Sequence, residues 1–163
     1  MNEELGGERF SARLARLGIV LPPVPEPVAS YIPAITISGM IFTSGQLPFA
    51  GGELVATGKL GAGITVAQGQ ELAKLAALNA VAAAAKAVDG IDGIRRIVKL
   101  TVYVNSAPGF TQQPAVADGA SDALIEIFGA LGKHTRTAIG VAELPLDTPI
   151  ELELVAEANA SSF

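Results

Sequence analysis

The chain has 163 residues, the length of one domain, and half of them are apolar while only 17% are charged. Gly, Lys, Asp or Pro interrupts every long apolar stretch, which excludes a membrane span. The absence of cysteine excludes disulfides, thiolate nucleophiles, iron–sulfur clusters and cysteine-bound zinc.

The formal net charge is −5, and no long run of Lys and Arg is present. Proteins that bind nucleic acid neutralise phosphates with clustered basic residues, so this composition argues against a nucleic-acid partner. The N-terminal segment MNEELGGERF is acidic and polar, unlike a secretory signal, and the expected location is cytoplasmic. A single histidine, His134, excludes the common histidine-rich metal sites, and we expect no metal.

The first predicted element is a short amphipathic helix over residues 8–17, which Gly18 is suited to end. Its apolar side is formed by Phe10, Leu14 and Leu17. The following segment, IVLPPVPEPVAS, is too rich in proline for a helix and is predicted to be an extended strap. Residues 1–28 are therefore predicted to form an N-terminal arm that lies on a domain formed by residues 29–163.

Two short strands follow, AITI and MIFTS, and Ser38-Gly39 between them is a good two-residue hairpin turn. The clearest element is a helix that begins after Thr65, because Thr65 and Gln68 have the spacing of a capping box. We expect this helix to continue to Val88 and to end at Gly90. The apolar stripe predicted along it consists of Leu75, Leu78, Ala82 and Ala85.

The second half of the chain predicts a strand, a helix and two further strands. The strand IVKLTVYV over 97–104 is predicted to have one face formed by Val98, Leu100, Val102 and Val104. A helix near 114–131 has the predicted stripe Val116, Ala120, Leu124, Ile127 and Leu131, and the predicted solvated face Asp118, Asp122 and Glu126. The last strands cover about 136–142 and 149–157. Two helices among these strands predict an α+β fold with both helices on one face of a mixed sheet.

Three segments together resemble the reactive-intermediate-deaminase (Rid) family, also known as endoribonuclease L-PSP-like proteins. The first is Tyr31 followed by the strand end Ser44-Gly45-Gln46-Leu47-Pro48. The second is the strand over 97–104. The third and most specific is the set Arg136, Ile139, Ala142, Leu144, Ile150 and Glu151. The resemblance covers residues 29–157, and the preceding arm indicates a branch with an N-terminal extension.

The resemblance implies a chorismate-mutase-like fold and a homotrimer whose sheets surround a central barrel, with clefts between subunits. Deaminases of this family hydrolyse imines and enamines such as 2-aminoacrylate to a keto acid and ammonia, and they need no cofactor. The partner implied for this chain is a small metabolite that carries a carboxylate.

The resemblance also implies roles for individual residues. The family's carboxylate-binding arginine matches Arg136, whose planar guanidinium can hold a carboxylate through two hydrogen bonds. The family's water-positioning glutamate matches Glu151. A carboxylate near the reacting carbon can orient water or move a proton. The cleft tyrosine matches Tyr31, and the small turn that holds substrate or water matches Ser44 and Gly45.

The chain departs from the family pattern around Arg136. Ala138 stands where the family often has cysteine, and Gly140 where it often has glutamate. His134 replaces the usual Pro or Ala and adds a titratable candidate for substrate binding. These departures keep a second hypothesis open, a trimer that binds small carboxylates without catalysis. An endoribonuclease is a third hypothesis, which the acidic charge and the lack of a histidine pair weaken.

Each proposed role has a structural alternative. Arg136 can be an interface ion-pair residue, and Glu151 can lie on the solvent side of an amphipathic strand. Tyr31 can be a packing aromatic, and Ser44-Gly45 can be only a turn. His134 can be a loop residue or a helix-end cap.

Overall fold

The computed structural model describes residues 8–24 and 30–160. Within these ranges the helices are α1 (Phe10–Leu17), α2 (Val66–Lys86) and α3 (Gln113–Phe128). The long strands are β1 (Ala34–Ile37), β2 (Met40–Thr43), β7 (Ile94–Asn105), β8 (Thr135–Val141) and β9 (Ile150–Ala158). The two-residue strands are β3 (Phe49–Ala50), β4 (Glu53–Leu54), β5 (Lys59–Leu60) and β6 (Gly63–Ile64). Short 3₁₀ turns occur at Ile91–Gly93, Gly129–Gly132 and Pro145–Asp147.

The long strands form one sheet in the order β1-β2-β9-β7-β8. β7 and β8 run parallel, whereas the other neighbouring pairs are antiparallel. Parallel neighbours need a crossover connection, and α3 supplies it between β7 and β8. Helices α2 and α3 pack on one face of the sheet around a single core, which confirms the predicted α+β fold. This order leaves β8 as an edge strand beside α3.

The long central strand β7 contains a bulge that changes which residues face the core. Ile97 pairs with Ala156 and Lys99 pairs with Val155, so Val98 is an extra residue in β7. The predicted face is therefore correct for Leu100, Val102 and Val104, all fully buried, but wrong for Val98, whose place in the core is taken by Ile97. A bulge shifts the alternation by one residue, and the uniformly apolar segment gave no sign of it.

Helix α2 begins as predicted, because the Thr65 hydroxyl accepts from the Gln68 N–H and the Gln68 side chain accepts from the Thr65 N–H. The predicted stripe is confirmed for Ala82 and Ala85, which are buried, but Leu75 and Leu78 are only partly buried. The buried face also includes Leu72, Ala73, Ala76, Ala77, Ala80, Val81 and Ala84. Packing against both the sheet and α3 favours the small alanines. Among the described helices, none has the length and apolar character needed to cross a bilayer.

Helix α3 approaches α2 closely at Gly119. A Cβ atom on Gly119 would lie 2.1 Å from the backbone oxygen of Gln70, so only glycine fits there. The predicted stripe is confirmed by the buried residues Val116, Ala120, Leu124 and Ile127. Leu131 is exposed because the helix ends at Phe128 and a 3₁₀ turn follows.

Helix α1 confirms the predicted amphipathic helix and is fastened to the ends of the other helices. The Phe10 ring packs edge-to-face on Phe128, with ring centroids 4.7 Å apart. Asp92 accepts from the Ser11 N–H at 3.0 Å and from its hydroxyl at 2.5 Å, which caps the start of α1. The Arg13 side chain donates to the Glu126 carbonyl near the end of α3. Residues 19–24 have no regular structure, and the rest of the predicted strap, residues 25–29, lies outside the described residues.

The contact at Gly119 leads to a stability prediction. Gly119→Ala adds a methyl group against a backbone carbonyl, which cannot swing away as a flexible side chain can. We expect the free energy of unfolding to fall by about 1–3 kcal/mol, despite the better helix propensity of alanine. Urea unfolding measures it, with Asp122→Ala on the exposed side of α3 as the control. Unchanged or higher stability of Gly119→Ala would contradict the close approach of the helices.

The attachment of α1 predicts a pH dependence. Burial opposes ionisation of Asp92, but the hydrogen bonds from Ser11 and the charge of Arg9 outweigh it, and the pKa of Asp92 lies below its ordinary value of 3.8. Its stabilising effect is therefore fully present above 3.8 and is lost as the pH falls through the lower folded value. We expect Asp92→Asn, which keeps an acceptor oxygen but loses the negative charge near the start of α1, to cost about 0.3–1 kcal/mol at neutral pH. Thermal unfolding of both proteins should converge at acidic pH; a difference that persists there would refute the assignment.

Candidate functional site

Arg136 lies on the edge strand β8 and points toward the helices. It pairs with Leu100 across the parallel ladder, and Leu100 is buried under the helices, so both side chains are on that face. The Arg136 Nη1 donates to Asp118 Oδ1 at 2.8 Å and to Ser121 Oγ at 3.1 Å. Nε and Nη2 form no hydrogen bond with any described residue, and the side chain is 25% exposed. One edge of the guanidinium is thus fastened to α3, and the donors of the other edge have no partner among the described residues.

His134 continues this network through Ser121. The His134 Nδ1 is 2.6 Å from the Gly132 carbonyl oxygen, which can only accept, so we place the ring proton on Nδ1. In the neutral ring Nε2 then accepts from the Ser121 hydroxyl at 3.0 Å. Ser121 Oγ therefore donates to His134 and accepts from Arg136, and the three side chains hold one another.

Ser121 and Asp118 are the members of this cluster whose roles the sequence did not predict. Asp118 was expected on a solvated face with Asp122 and Glu126, but it forms an ion pair with Arg136. The spacing of Asp118 and Ser121 on a helix puts both on one face and could have marked them as partners of one residue. Which residue they face depends on the register of β8, which local sequence does not reveal.

A second cluster forms around Glu151 on the other side of the sheet. Backbone hydrogen bonds between Gln46 and Leu152, at 2.7 and 3.0 Å, join the end of β2 to β9. Gly45 therefore lies against Glu151, and a Cβ atom on Gly45 would be 2.0 Å from Glu151 Oε1. Only glycine leaves room for the carboxylate in this position.

Ser44 and Tyr31 lie beside this contact. The Ser44 N–H donates to the Pro33 carbonyl at 2.8 Å, and its hydroxyl donates to the Ile32 carbonyl at 2.6 Å. Ser44 thus holds the segment that follows Tyr31, and Tyr31 is 64% exposed. The hydroxyl of Ser44 is already used within the chain, whereas the Tyr31 side chain faces outward.

Glu151 lies in an environment that favours its protonated form. Burial raises the pKa of Glu151, and the neighbouring Glu153 carboxylate raises it further. Glu153 accepts a hydrogen bond from the Tyr103 hydroxyl at 3.2 Å. Burial and the charge of Glu153 likewise raise the pKa of Tyr103. A carboxyl with a raised pKa can both take up and return a proton nearer to neutral pH.

The two clusters lie on opposite faces of the sheet. Glu151 pairs with Tyr103, whereas Arg136 pairs with Leu100, and residues three apart on a strand point in opposite directions. The structure therefore brings together Arg136 with His134, and separately Glu151 with Ser44 and Gly45. Within one chain the two sets do not face a common space.

The departures beside Arg136 have structural consequences. Gly140 shares the face of Arg136, and a Cβ atom there would be 2.6 Å from Gln113 Nε2. The Gln113 amide, which donates to the Phe110 carbonyl and to Ser106 Oγ, thus fills the space beside Gly140. Ala138 is partly buried against the core. Across the described ranges, no group of three or more His, Asp or Glu residues is arranged to hold a metal ion.

Comparison with known proteins connects this arrangement to a family. The model of the family described as "YjgF/chorismate_mutase-like, putative endoribonuclease" matches residues 11–158. The match begins inside α1 and thus extends beyond the segment 29–157 that carried the sequence resemblance. Protein TCP17 of Trypanosoma cruzi is 41% identical over 152 residues, which are 93% of this chain and 95% of that protein.

Solved structures give the same result. A crystal structure named as a putative endoribonuclease from Shewanella oneidensis superposes with a TM-score of 0.87 at 35% identity, over 92% of this chain and 99% of that one. The Escherichia coli protein TdcF, solved with bound serine, has a TM-score of 0.61 at 25% identity, over 83% of this chain and 94% of its own. The chain therefore belongs to the YjgF family, the Rid and chorismate-mutase-like group that the sequence resembled.

Proposed function

We propose that the chain is a deaminase-like hydrolase of small carboxylated imines and enamines, of the 2-iminopropanoate and 2-aminoacrylate type, that acts in clefts between the subunits of a homotrimer. The observation that carries the proposal is the Arg136 guanidinium, which is fastened through Nη1 while Nε and Nη2 have no partner among the described residues. The Nε and Nη2 donors have the parallel geometry that holds a carboxylate through two hydrogen bonds.

Glu151 supplies the acid–base chemistry in this proposal. Its carboxylate takes a proton from a water molecule as the hydroxyl adds to the carbon of the protonated imine, which gives a neutral carbinolamine. The proton then moves to the carbinolamine nitrogen, the C–N bond breaks as the carbonyl forms, and the hydroxyl proton leaves with the ammonia as ammonium, which releases the keto acid. The raised pKa of Glu151 supports this dual role. Gly45 supports it too, because a residue with a side chain would displace the carboxylate from this position.

Two copies of the chain are needed for Arg136 and Glu151 to act on one ligand, since they lie on opposite faces of the sheet. The face that carries Glu151 also carries apolar side chains that are 41–59% exposed: Ile35, Ile37, Phe42 and Ile139. Exposed apolar groups of this kind mark surfaces that another protein covers. A trimer would cover them and place Arg136 of one subunit, with His134, opposite Glu151, Tyr31, Ser44 and Gly45 of the next.

A non-catalytic carboxylate binder is the second candidate function. It is favoured by Ala138 and by the Gln113 amide beside Gly140, which replace the cysteine and glutamate expected from the resemblance. A relative solved with bound serine supports a small ligand with a carboxylate in either case. The endoribonuclease named for the family is less compatible with a net charge of −5 and a single histidine.

Arg136→Ala and Arg136→Lys test the proposal. We generate 2-aminoacrylate in vitro and follow the release of ammonia and keto acid. The wild type should accelerate release over buffer, and Arg136→Ala should lose about 100-fold in kcat/KM, as expected when a charged, bidentate contact is removed. Arg136→Lys keeps the charge but not the parallel donors and should recover little activity.

The control variant is Arg95→Ala, because Arg95 pairs with Glu157 away from both clusters. A ligand-induced thermal shift that vanishes in Arg136→Ala, without turnover, would identify a binder instead of an enzyme. No acceleration and no Arg136-dependent shift across several amino-acid-derived imines and small acids would reject both candidates.

The raised pKa of Glu151 predicts the acidic limb of the activity profile. The base form develops only above its ordinary pKa of 4.5, so kcat/KM should fall with an apparent pKa higher than that value as the solution is acidified. Glu151→Gln should remove turnover while ligand binding persists. Glu153→Gln removes the repelling charge but keeps an acceptor for Tyr103, so the limb should shift to lower pH. An acidic limb that does not shift in Glu153→Gln would contradict the effect of the Glu153 charge on the pKa of Glu151.

A further inference from the structure

We infer that Asp118 is a specificity-determining residue that makes the Arg136 site accept ligands with one carboxylate and disfavour those with a second negative group. The inference rests on the proposed function, since it concerns the same site. It names the ligand class as small monocarboxylates, either zwitterionic or with an uncharged remainder, and excludes dicarboxylates and phosphorylated acids.

The position of Asp118 gives this selection. Its Oδ1 is 2.8 Å from Arg136 Nη1, so one negative charge already stands beside the guanidinium before any ligand arrives. The Asp118 side chain is 55% exposed, and its Oδ2 has no hydrogen-bond partner among the described residues. The carboxylate therefore faces the solvent from which a ligand approaches, instead of being enclosed in the protein.

The charges add up differently for the two ligand classes. A first carboxylate binds Nε and Nη2 directly, and these short hydrogen bonds do not require Asp118 to move. With one carboxylate bound, the cluster holds one cation and two anions. A second anionic group on the ligand meets a net negative field, because the charge of Arg136 is already matched. Arg136 is the only cation of the described hydrogen-bond network when the His134 ring is neutral, because Ser121 carries no charge.

Ser121 allows the charge of Asp118 to be removed without a change in the orientation of the Arg136 guanidinium. It accepts from Nη1 at 3.1 Å, and His134 fixes its hydroxyl from the other side. Asp118→Asn keeps an oxygen acceptor for Nη1 and removes only the charge, so Arg136 should stay in place. Asp122→Asn is the matched control, because Asp122 is an exposed acid on the same helix that lines the outer groove with Gln70 and Lys74.

The experiment is a cycle of four dissociation constants. L-Asparagine and L-aspartate differ by one charge at nearly the same shape, and each is titrated calorimetrically into the wild type and into Asp118→Asn. We expect the wild type to prefer asparagine, and Asp118→Asn to reduce that preference by about fivefold to tenfold, mainly through tighter binding of aspartate. Succinamate and succinate, which lack the amino group, should show a change of the same sign.

The outcomes separate this inference from the proposed function. An unchanged preference in Asp118→Asn, or an equal change in Asp122→Asn, overturns the role of Asp118 while carboxylate binding by Arg136 stands. If none of the four acids shows Arg136-dependent binding to the wild type, this inference fails, whereas the proposed function is decided separately by Arg136-dependent turnover of 2-aminoacrylate. A thermal unfolding curve of Asp118→Asn that matches the wild type confirms that the comparison is between folded proteins.

Discussion

The attachment of Arg136 to α3 is the interaction on which the candidate site depends. Its Nη1 gives both hydrogens to one helix, one to Asp118 and one to Ser121, which fixes the plane of the guanidinium at the sheet edge. Asp118 is more than half exposed, so the ion pair contributes little to stability by itself. The ion pair instead holds a long, flexible side chain on an edge strand in one orientation, in which Nε and Nη2 have no partner among the described residues.

The register of the sheet then determines what Arg136 can meet. The parallel ladder aligns Arg136 with Leu100, and the antiparallel ladder aligns Glu151 with Tyr103, which assigns the two residues to opposite faces. In the proposed trimer, each subunit therefore carries half of a site on each side of its sheet. The exposed apolar groups on the Glu151 face and the uncovered edge of β8 both favour assembly, and assembly is what can join one half to the other.

Local signals in the sequence predicted the helices and strands better than the pairing of the strands or the packing of the helices. The capping box of Thr65 and Gln68 located the start of α2, because both partners lie within one turn. The bulge at Val98 was missed because it depends on the pairing of β7 with β9. The buried face of α2 was predicted only in part because it depends on contacts with two neighbours at once. The resemblance located Arg136 and Glu151, yet their separation by the sheet follows only from the strand register.

The partners of Arg136 were missed for the same reason. Ser121 and Asp118 lie on α3, which precedes β8 in the chain, and only the crossover that makes β8 parallel to β7 brings them beside Arg136. His134, by contrast, is two residues from Arg136, so its proximity could be predicted from the sequence, whereas its hydrogen bond with Ser121 could not.

The two carboxylates of the candidate site have opposite surroundings, and this divides the chemistry between them. Asp118 lies against the Arg136 guanidinium, which donates a hydrogen bond to it at 2.8 Å. Glu151 lies partly buried beside Gly45 and near a second carboxylate, Glu153, and both burial and repulsion favour its protonation. A carboxylate beside a guanidinium can sort ligands by charge, whereas a carboxyl with a raised pKa can take up and return a proton nearer to neutral pH. The proposed function therefore assigns proton transfer to the Glu151 face of the sheet and recognition of the ligand's charge to the Arg136 face.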